Sequence, residues 1–300
     1  MPPEVPSADA WVTGYAAELG LVVPARERPR WVDTPSGARL AVLGGAVVKL
    51  HRRRTGREAL ANRLAAVVDP SLAGLFAPPL SPSVAQAPDG SLVTAWPEVP
   101  VLDPDSPVPW AAAGELLARL HRAASPLVLP THGGTDRVGR AVQRARRTPA
   151  RAHADTTMLA RLGEALAREA TRAADGREPA ERHTTSRAVV HGDWHLGQLG
   201  WWRGGWRLLD VDDLGVGDPA WDLGRPAGFW AAGLLDDASW RTFLDAYRAA
   251  GGPAVPRVGD PWPGLDLPAR CAVFVAAVRS LRGAAPDEEG RRLLQACRQM

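Results

Sequence analysis

The chain has 300 residues, 45% of them hydrophobic and 23% charged, and its formal net charge is +3. This composition is typical of a globular protein and excludes wholesale disorder and a coiled coil. It also contains no apolar run near the ~18 residues that would indicate a membrane span. The small net charge does not favour nucleic-acid binding. The N-terminus lacks the basic and apolar segments of a signal peptide, and the two cysteines form no CxxC motif, so we expect a cytoplasmic protein.

Lysine occurs once in the chain, at Lys49, although lysine and arginine together number 36. Arginine keeps the positive charge but lacks the compact ammonium group of lysine. A sequence that retains one lysine therefore favours a specific role for it, with chance as the alternative.

The N-terminal third alternates short extended runs with turns. Lys49 lies in the third extended run, and Glu58 lies in the first turn of the helix that follows, where the helix dipole alone would also favour an acidic residue. Pairing with Lys49 and simple dipole compensation are both open interpretations for Glu58. The predicted elements are a weak helix at 8–19, strands at 30–32, 39–43 and 46–50, a helix at 56–68 and a strand at 91–96.

The segment 99–109 is rich in Pro and Asp, which is typical of a linker, so we predict a domain boundary near residue 98. The segment 137–152 carries arginines at helical spacing, which predicts a solvated charged face or, as the less favoured alternative, an anion site. The remaining predictions for this part of the chain are helices at 110–123 and 157–174 and a polar loop at 175–186.

The most informative stretch runs from 188 to 224 and contains two strand ends that each present a carboxylate. An apolar strand leads into an HGD tripeptide, whose glycine permits a sharp turn and whose aspartate is Asp193. A second strand, after a Gly-rich turn, ends in Asp210. One hairpin should therefore bring Asp193, Gln198 and Asp210 together. Carboxylate and amide oxygens suit Mg²⁺, and a carboxylate without metal can accept a proton from a hydroxyl.

The segments HGDWHLGQ (191–198) and LLDVDDLGVGDPAWDL (208–223) resemble the aminoglycoside phosphotransferase and choline kinase family. In that family the catalytic loop reads HGDxxxxN, and the second motif is a strand ending in Asp with an Asp-Leu pair about a dozen residues later. The similarity extends over nearly the whole chain, including LLARLH at 116–121. It implies an α+β, bilobal, protein-kinase-like fold. Residues 1–98 would be a small antiparallel-sheet lobe with one helix, and residues 99–300 a larger, mostly helical lobe.

The resemblance also implies a role for each matching residue. Asp193 would be the catalytic aspartate, and Lys49 would hold the phosphates of ATP, with GTP as an open alternative. His191, Asp218 and Asp222 would support the catalytic loop. The other implied positions are Gln198 and Asp210 for Mg²⁺, Glu58 as the partner of Lys49, Ser36 and Gly37 in a nucleotide loop that lacks the full GxGxxG, and the backbone of Ala95, Trp96 and Glu98 against adenine.

The acceptor should be a hydroxyl of a small molecule. Gln198 replaces the family asparagine, and the similar HGDxHxxQ motif of bacterial sugar kinases implies a sugar or amino sugar. Helices after the second motif build the acceptor site in this family. The acidic residues near it favour a cationic acceptor such as an aminoglycoside: Asp212, Asp213, Asp236 and Asp237. His195 is interpreted as packing within its loop in preference to touching metal or substrate.

A second hypothesis is a kinase-like module that binds nucleotide without transferring phosphate, because Gln198 and the Gly-poor nucleotide loop depart from the family pattern. We expect no nucleic-acid or membrane partner, and a monomer or homodimer. The sequence leaves open whether the role is antibiotic resistance or metabolism.

Overall fold

The computed structural model describes residues 7–34, 36–102, 106–124, 129–148, 155–174, 187–281 and 285–300. The polar loop predicted at 175–186 lies outside these residues, as do the middle of the predicted linker and the end of the basic segment. No helix in the described ranges is long and apolar enough to cross a membrane.

The described residues combine helices and strands in the mixed α+β arrangement that the sequence predicts. The helices are α1 (Ala8–Glu18), α2 (Arg57–Val68), α3 (Trp110–Arg122), α4 (Gly134–Arg147), α5 (Thr156–Ala174), α6 (Ala220–Ala231), α7 (Asp237–Ala249), α8 (Trp262–Ser280) and α9 (Glu288–Arg298). The strands are β1 (Arg30–Asp33), β2 (Arg39–Leu43), β3 (Ala46–Leu50), β4 (Ala85–Gln86), β5 (Leu92–Pro97), β6 (Ala188–Val190), β7 (Leu199–Trp202), β8 (Gly205–Leu208) and β9 (Gly215–Gly217).

The chain forms two structural units that alternate along the sequence. The first contains the described residues up to 102 and, later in the chain, Leu199–Asp212, while the second contains most of the rest. The boundary near residue 98 stays a prediction, and the return of β7 and β8 to the first unit is a feature that the sequence did not indicate.

The first unit is built on a five-stranded antiparallel sheet with the order β1-β2-β3-β5-β4. Its β2–β3 hairpin closes at Gly44-Gly45, and both glycines have positive φ (58° and 72°), as a two-residue turn requires. The register places Lys49 between Leu40 on β2 and Thr94 on β5. Val12 of α1 packs with Val48 and Val93 in the core on one side of the sheet.

The second unit is mostly helical, with one short ladder. The strands β6 and β9 pair antiparallel, so the residue before the HGD tripeptide, Val190, lies opposite Gly215. The main core joins α4, α5, α8 and α9 and contains the fully buried Leu159, Phe274 and Ala277. This ladder and the helices α3, α6 and α7 position the residues of the HGD loop.

Candidate active site

In the first unit, Lys49 forms a buried ion-pair cluster with the acidic residues that follow β8. Its Nζ lies 2.8 Å from Asp210 Oδ1 and 3.1 Å from Asp212 Oδ2. The sequence separates Lys49 from Asp210 by 161 positions. The fold therefore joins the single lysine to the aspartate of the second motif.

The electrostatics of this cluster favour the charged forms. Burial alone would lower the pKa of Lys49, but the two carboxylates outweigh it and raise that pKa above its ordinary value. Burial alone would raise the pKa of Asp212, but Lys49 and His51 hold it far below the usual range. His51 Nδ1 lies 3.0 Å from Asp212 Oδ1 without hydrogen-bond alignment, and its Nε2 is 2.8 Å from Thr94 Oγ1. The side chain of Lys49 is therefore positively charged at neutral pH.

Asp210 has the properties of a ligand for a hard cation. Its φ is +63°, a left-handed conformation that is uncommon for non-glycine residues, although aspartate adopts it more readily than most. Oδ1 accepts hydrogen bonds from Lys49 and from the N–H of Asp212, whereas Oδ2 has no recorded partner in the described chain. Gln198 ends a short 3₁₀ turn, where its N–H donates to the His195 carbonyl, and its side chain is likewise uncommitted among the described residues. Both side chains offer the oxygen ligands that Mg²⁺ prefers.

The predicted pairing of Lys49 with Glu58 is not found between these two described residues. Glu58 is exposed, because Leu60 and Leu64 bury the other face of α2. The helix-dipole interpretation therefore accounts for Glu58, and Asp210 and Asp212 take the place of the expected partner.

The other predicted nucleotide positions lie at turns and strand ends of the first unit. Gly37 has φ +90°, and Ser36 Oγ is 2.8 Å from Thr34 Oγ1, so a tight turn does connect β1 and β2. The Ala95 carbonyl accepts from the Leu80 N–H, and the Glu98 N–H donates to the Gly45 carbonyl. Two of the backbone groups proposed for adenine are therefore already committed. The Trp96 indole donates to Thr94 Oγ1 at 2.9 Å.

In the second unit, the HGD tripeptide forms a loop directly after β6. Gly192 has φ +81°, and a Cβ there would lie 2.2 Å from the Asp213 carbonyl oxygen. His191 is buried, and its Nδ1 accepts from the Asp193 N–H at 3.4 Å, consistent with the bracing role predicted for it. The loop thus leaves Asp193 partly exposed beyond a rigid turn.

Arg137 on α4 forms an ion pair with Asp193 and a second one, at 2.6 Å, with Asp213. Its guanidinium also donates to the Gly192 carbonyl at 3.0 Å, and only 14% of its side chain is exposed. The solvated-face interpretation of the basic segment is wrong for this residue. Periodicity alone could not separate Arg137 from its neighbours, because the carboxylates that hold it come from positions 56 and 76 residues later in the chain.

Asp222 confirms its predicted role as a support of the catalytic loop. Its carboxylate accepts from the N–H groups of His191 and Gly192 at 2.7 and 2.8 Å, and from His121 Nε2 at 3.0 Å. Burial alone would raise the pKa of Asp222, but the His121 hydrogen bond and the nearby histidines hold it below the usual value. Asp218 accepts a hydrogen bond from the Ala220 N–H at the start of α6.

Two members of this network, His121 and Tyr247, were missed as functional residues. The Tyr247 hydroxyl accepts from the Ala254 N–H at 3.0 Å and lies 2.8 Å from His121 Nδ1. Burial raises the pKa of Tyr247, so its hydroxyl stays protonated and donates to Nδ1. His121 can then donate from Nε2 to Asp222. The position of His121 at the end of LLARLH was a usable signal, but nothing in the sequence marked Tyr247.

The four acidic residues that suggested a cationic acceptor are already engaged with other groups. Asp212 binds Lys49 and Asp213 binds Arg137. Asp236 caps α7 by accepting from the Ser239 N–H, and Asp237 accepts from the Trp230 indole. Each of these four carboxylates therefore has at least one partner within the chain, and the cationic acceptor stays a prediction.

His195 is packed within its own loop, as interpreted. Its Nδ1 accepts from the Gly197 N–H at 3.0 Å. Burial and then the charges of Arg225, His191, Arg279 and Arg137 lower its pKa to about 3, so the ring is neutral at physiological pH.

Replacing Gly192 with alanine should disrupt the catalytic loop. The left-handed conformation and the close Asp213 carbonyl together should cost roughly 2–4 kcal/mol of unfolding free energy, with a matching loss of activity. Chemical denaturation checks this result. The control is Gly139→Ala in α4, where no atom lies within 4 Å of the new Cβ, and a gain of ~0.5–1 kcal/mol is expected. Equal effects at both positions would contradict the assigned loop geometry.

Comparison with solved structures identifies the fold. A choline kinase from Streptococcus pneumoniae is 14% identical over 96% of both chains, with a TM-score of 0.60. A choline/ethanolamine kinase family protein from Mesorhizobium loti is 15% identical, with a TM-score of 0.55, over 97% of this chain and 100% of the other. A spectinomycin phosphotransferase in complex with ADP and spectinomycin is 12% identical over 98% of this chain and 95% of the other, with a TM-score of 0.55. The fold is thus that of the protein-kinase-like phosphotransferases.

A model of the phosphotransferase enzyme family matches residues 44–262, which include Lys49, the HGD loop and the second motif. The chain belongs to this family and is a phosphotransferase. No curated protein matches the sequence significantly.

Proposed function

We propose that the protein transfers the γ-phosphate of ATP to a hydroxyl group of a small molecule, with Mg²⁺ as cofactor. The observation that carries this proposal is the buried ion-pair cluster of Lys49 with Asp210 and Asp212. The charged ammonium group of Lys49 can bind the phosphates of a nucleotide, and the free carboxylate oxygen of Asp210 beside it can bind their metal ion. We further propose residues 1–98 as the nucleotide-binding lobe.

The reaction needs little covalent chemistry from the protein. The acceptor oxygen forms a bond to the γ-phosphorus while the bond from that phosphorus to the β,γ-bridging oxygen breaks, and its electron pair leaves with ADP. The proton of the acceptor hydroxyl passes to the carboxylate of Asp193. Lys49 would hold the phosphates of ATP, and the Asp222 network would keep Asp193 oriented.

Asp210 and Gln198 are the residues that would hold Mg²⁺. When bound, the ion would neutralise charge on the phosphates. Lys49 would supply a second positive charge that neutralises the phosphates. The similar spectinomycin phosphotransferase was solved with ADP, which supports nucleotide use by this chain.

The single lysine permits a direct test of the nucleotide site. An adenosine analogue that carries a sulfonyl fluoride should modify one lysine side chain, Lys49, and ATP should protect it. Mass spectrometry of the digested protein locates the adduct. Lys49→Arg is the matched variant, which keeps the positive charge but should remain unlabelled. Labelling at Lys49 that excess ATP fails to reduce would contradict its role.

Transfer is tested by ADP and GDP release with Mg²⁺ across aminoglycosides, amino sugars, neutral sugars, hydroxy acids and amino alcohols. Acceptor-dependent release is expected from at least one class. A protein that binds nucleotide but remains silent with every class would support the alternative module without transfer activity.

A further inference from the structure

The second unit contains an open pocket in which Asp193 is one of the lining residues. The pocket is a small cavity of about 50 Å³ that opens to solvent. Its walls come from α4, the catalytic loop, α6 and α8. The apolar lining includes Trp194, Trp221 and Val275, and the charged lining consists of Asp193 and three arginines, Arg137, Arg225 and Arg279.

The three arginines differ in how they are bound. Arg137 is held by Asp193 and Asp213, so its charge is balanced. Arg225 lies over the ring of Phe229, with its Cζ 5.0 Å from the centroid, and Arg279 is near the end of α8. Neither Arg225 nor Arg279 has a hydrogen bond or ion pair with another described residue. Both side chains are partly buried in the wall of the pocket.

The charges around Arg225 and Arg279 affect the pKa values of neighbouring groups. Burial, and then repulsion by Arg279, lowers the pKa of Arg225 to about 10, which still leaves it charged at neutral pH. The pKa of neighbouring His195 is lowered to about 3, with Arg225 and Arg279 among the causes after burial. Asp193 is the only carboxylate in the described lining of the pocket, and it pairs with Arg137. Outside the lining, the negative charges of Asp213 and Glu289 act on Arg279 and Arg225, respectively. An anionic group that enters the pocket would meet two guanidinium groups that make no hydrogen bond or ion pair with another described residue.

We propose that the acceptor carries an anionic group, a carboxylate or a phosphate ester, which Arg225 and Arg279 bind while the acceptor hydroxyl reaches Asp193. This inference rests on the proposed function, and it makes these two arginines the determinants of acceptor specificity. A guanidinium donates two parallel hydrogen bonds to such groups, a geometry that neither a neutral nor a cationic acceptor matches.

The test uses acceptors that share one scaffold and differ in charge. One series is glucose, glucosamine, gluconate and glucose 6-phosphate, and the other is glycerol, 3-amino-1,2-propanediol, glycerate and glycerol 3-phosphate. Binding is measured by calorimetry with a non-hydrolysable ATP analogue present, and turnover by ADP release. At least one series should show a preference of about tenfold or more for its anionic members. Comparing the carboxylate with the phosphate ester identifies the anionic group.

The variants Arg225→Gln and Arg279→Gln should each reduce this preference by about ten- to a hundredfold, as expected for loss of a hydrogen bond between charged groups. Arg225→Lys and Arg279→Lys should recover part of it, because they restore the charge but not the paired donors. The matched control is Arg119→Gln, on the exposed side of α3, which should keep the wild-type preference.

Equal or stronger binding of neutral or cationic members in both series would overturn the proposal. So would arginine variants that weaken ATP binding and leave the charge preference unchanged, since the arginines would then serve the nucleotide. Nucleotide-dependent thermal stabilisation is recorded on the same samples. If nucleotide does not stabilise the wild-type protein, the proposed function is contradicted. The charge preference of the acceptor site is judged separately, from the calorimetric binding of the two acceptor series.

Discussion

Replacing Asp193 with asparagine should reduce acceptor-dependent ADP formation by about 10²–10⁴-fold, the usual contribution of a positioned general base. Asparagine has the same shape but cannot take the proton of the acceptor hydroxyl. The loop should stay in place, because Arg137 remains paired with Asp213 and Asp222 still holds the His191 and Gly192 N–H groups. The loss should therefore fall on kcat, with little change in nucleotide binding.

Steady-state kinetics and nucleotide-dependent thermal stabilisation check this result together. The matched control is Asp245→Asn, an exposed residue of α7, which should behave like the wild type. If Asp193→Asn keeps activity within a few fold of the wild type, another group accepts the proton.

Replacing Asp222 with asparagine should destabilise the protein by about 3 kcal/mol, because its carboxylate accepts from three buried donors. The amide of asparagine has one acceptor oxygen, and its NH₂ group would face a backbone N–H. Because Asp222 holds the catalytic loop, kcat should also fall while the KM for ATP changes less. Denaturation followed by circular dichroism measures the stability, again with Asp245→Asn as control.

The pH dependence provides a further check on Asp222. Its pKa is lower in the folded protein than the ordinary value of 3.8, so its contribution is complete above about pH 4 and is lost as the pH falls through the folded-state pKa. The stability difference between wild type and Asp222→Asn should therefore be constant near neutrality and shrink in acid. A difference that grows in acid would contradict a stabilising carboxylate.

Much of the local structure could be predicted from the sequence. The strands β2 and β3 were predicted with their observed bounds, because two glycines separate β-favouring runs and a hairpin requires little long-range information. The HGD turn was also predicted, since few residues other than glycine accept its backbone conformation. The family followed from the order of the motifs, which the family match confirms.

The partners of charged residues could not be predicted in this way. Glu58, nine residues away, was one of two open interpretations for the partner of Lys49, but the observed partners Asp210 and Asp212 are more than 160 positions distant. Arg137 appeared equivalent to the other arginines of its helix until Asp193 and Asp213 were placed beside it. Which charge is buried depends on which elements pack together.

The sequence by itself determined the family, the single lysine, the turn that presents Asp193 and the hairpin strands β2 and β3, because these depend on residue identity and local backbone preference. Only the tertiary structure decided which acidic residues bind Lys49, how Tyr247 and His121 reach Asp222, and that Arg225 and Arg279 line the pocket beside Asp193. The physical reason is that burial and charge pairing are set by contacts between distant segments.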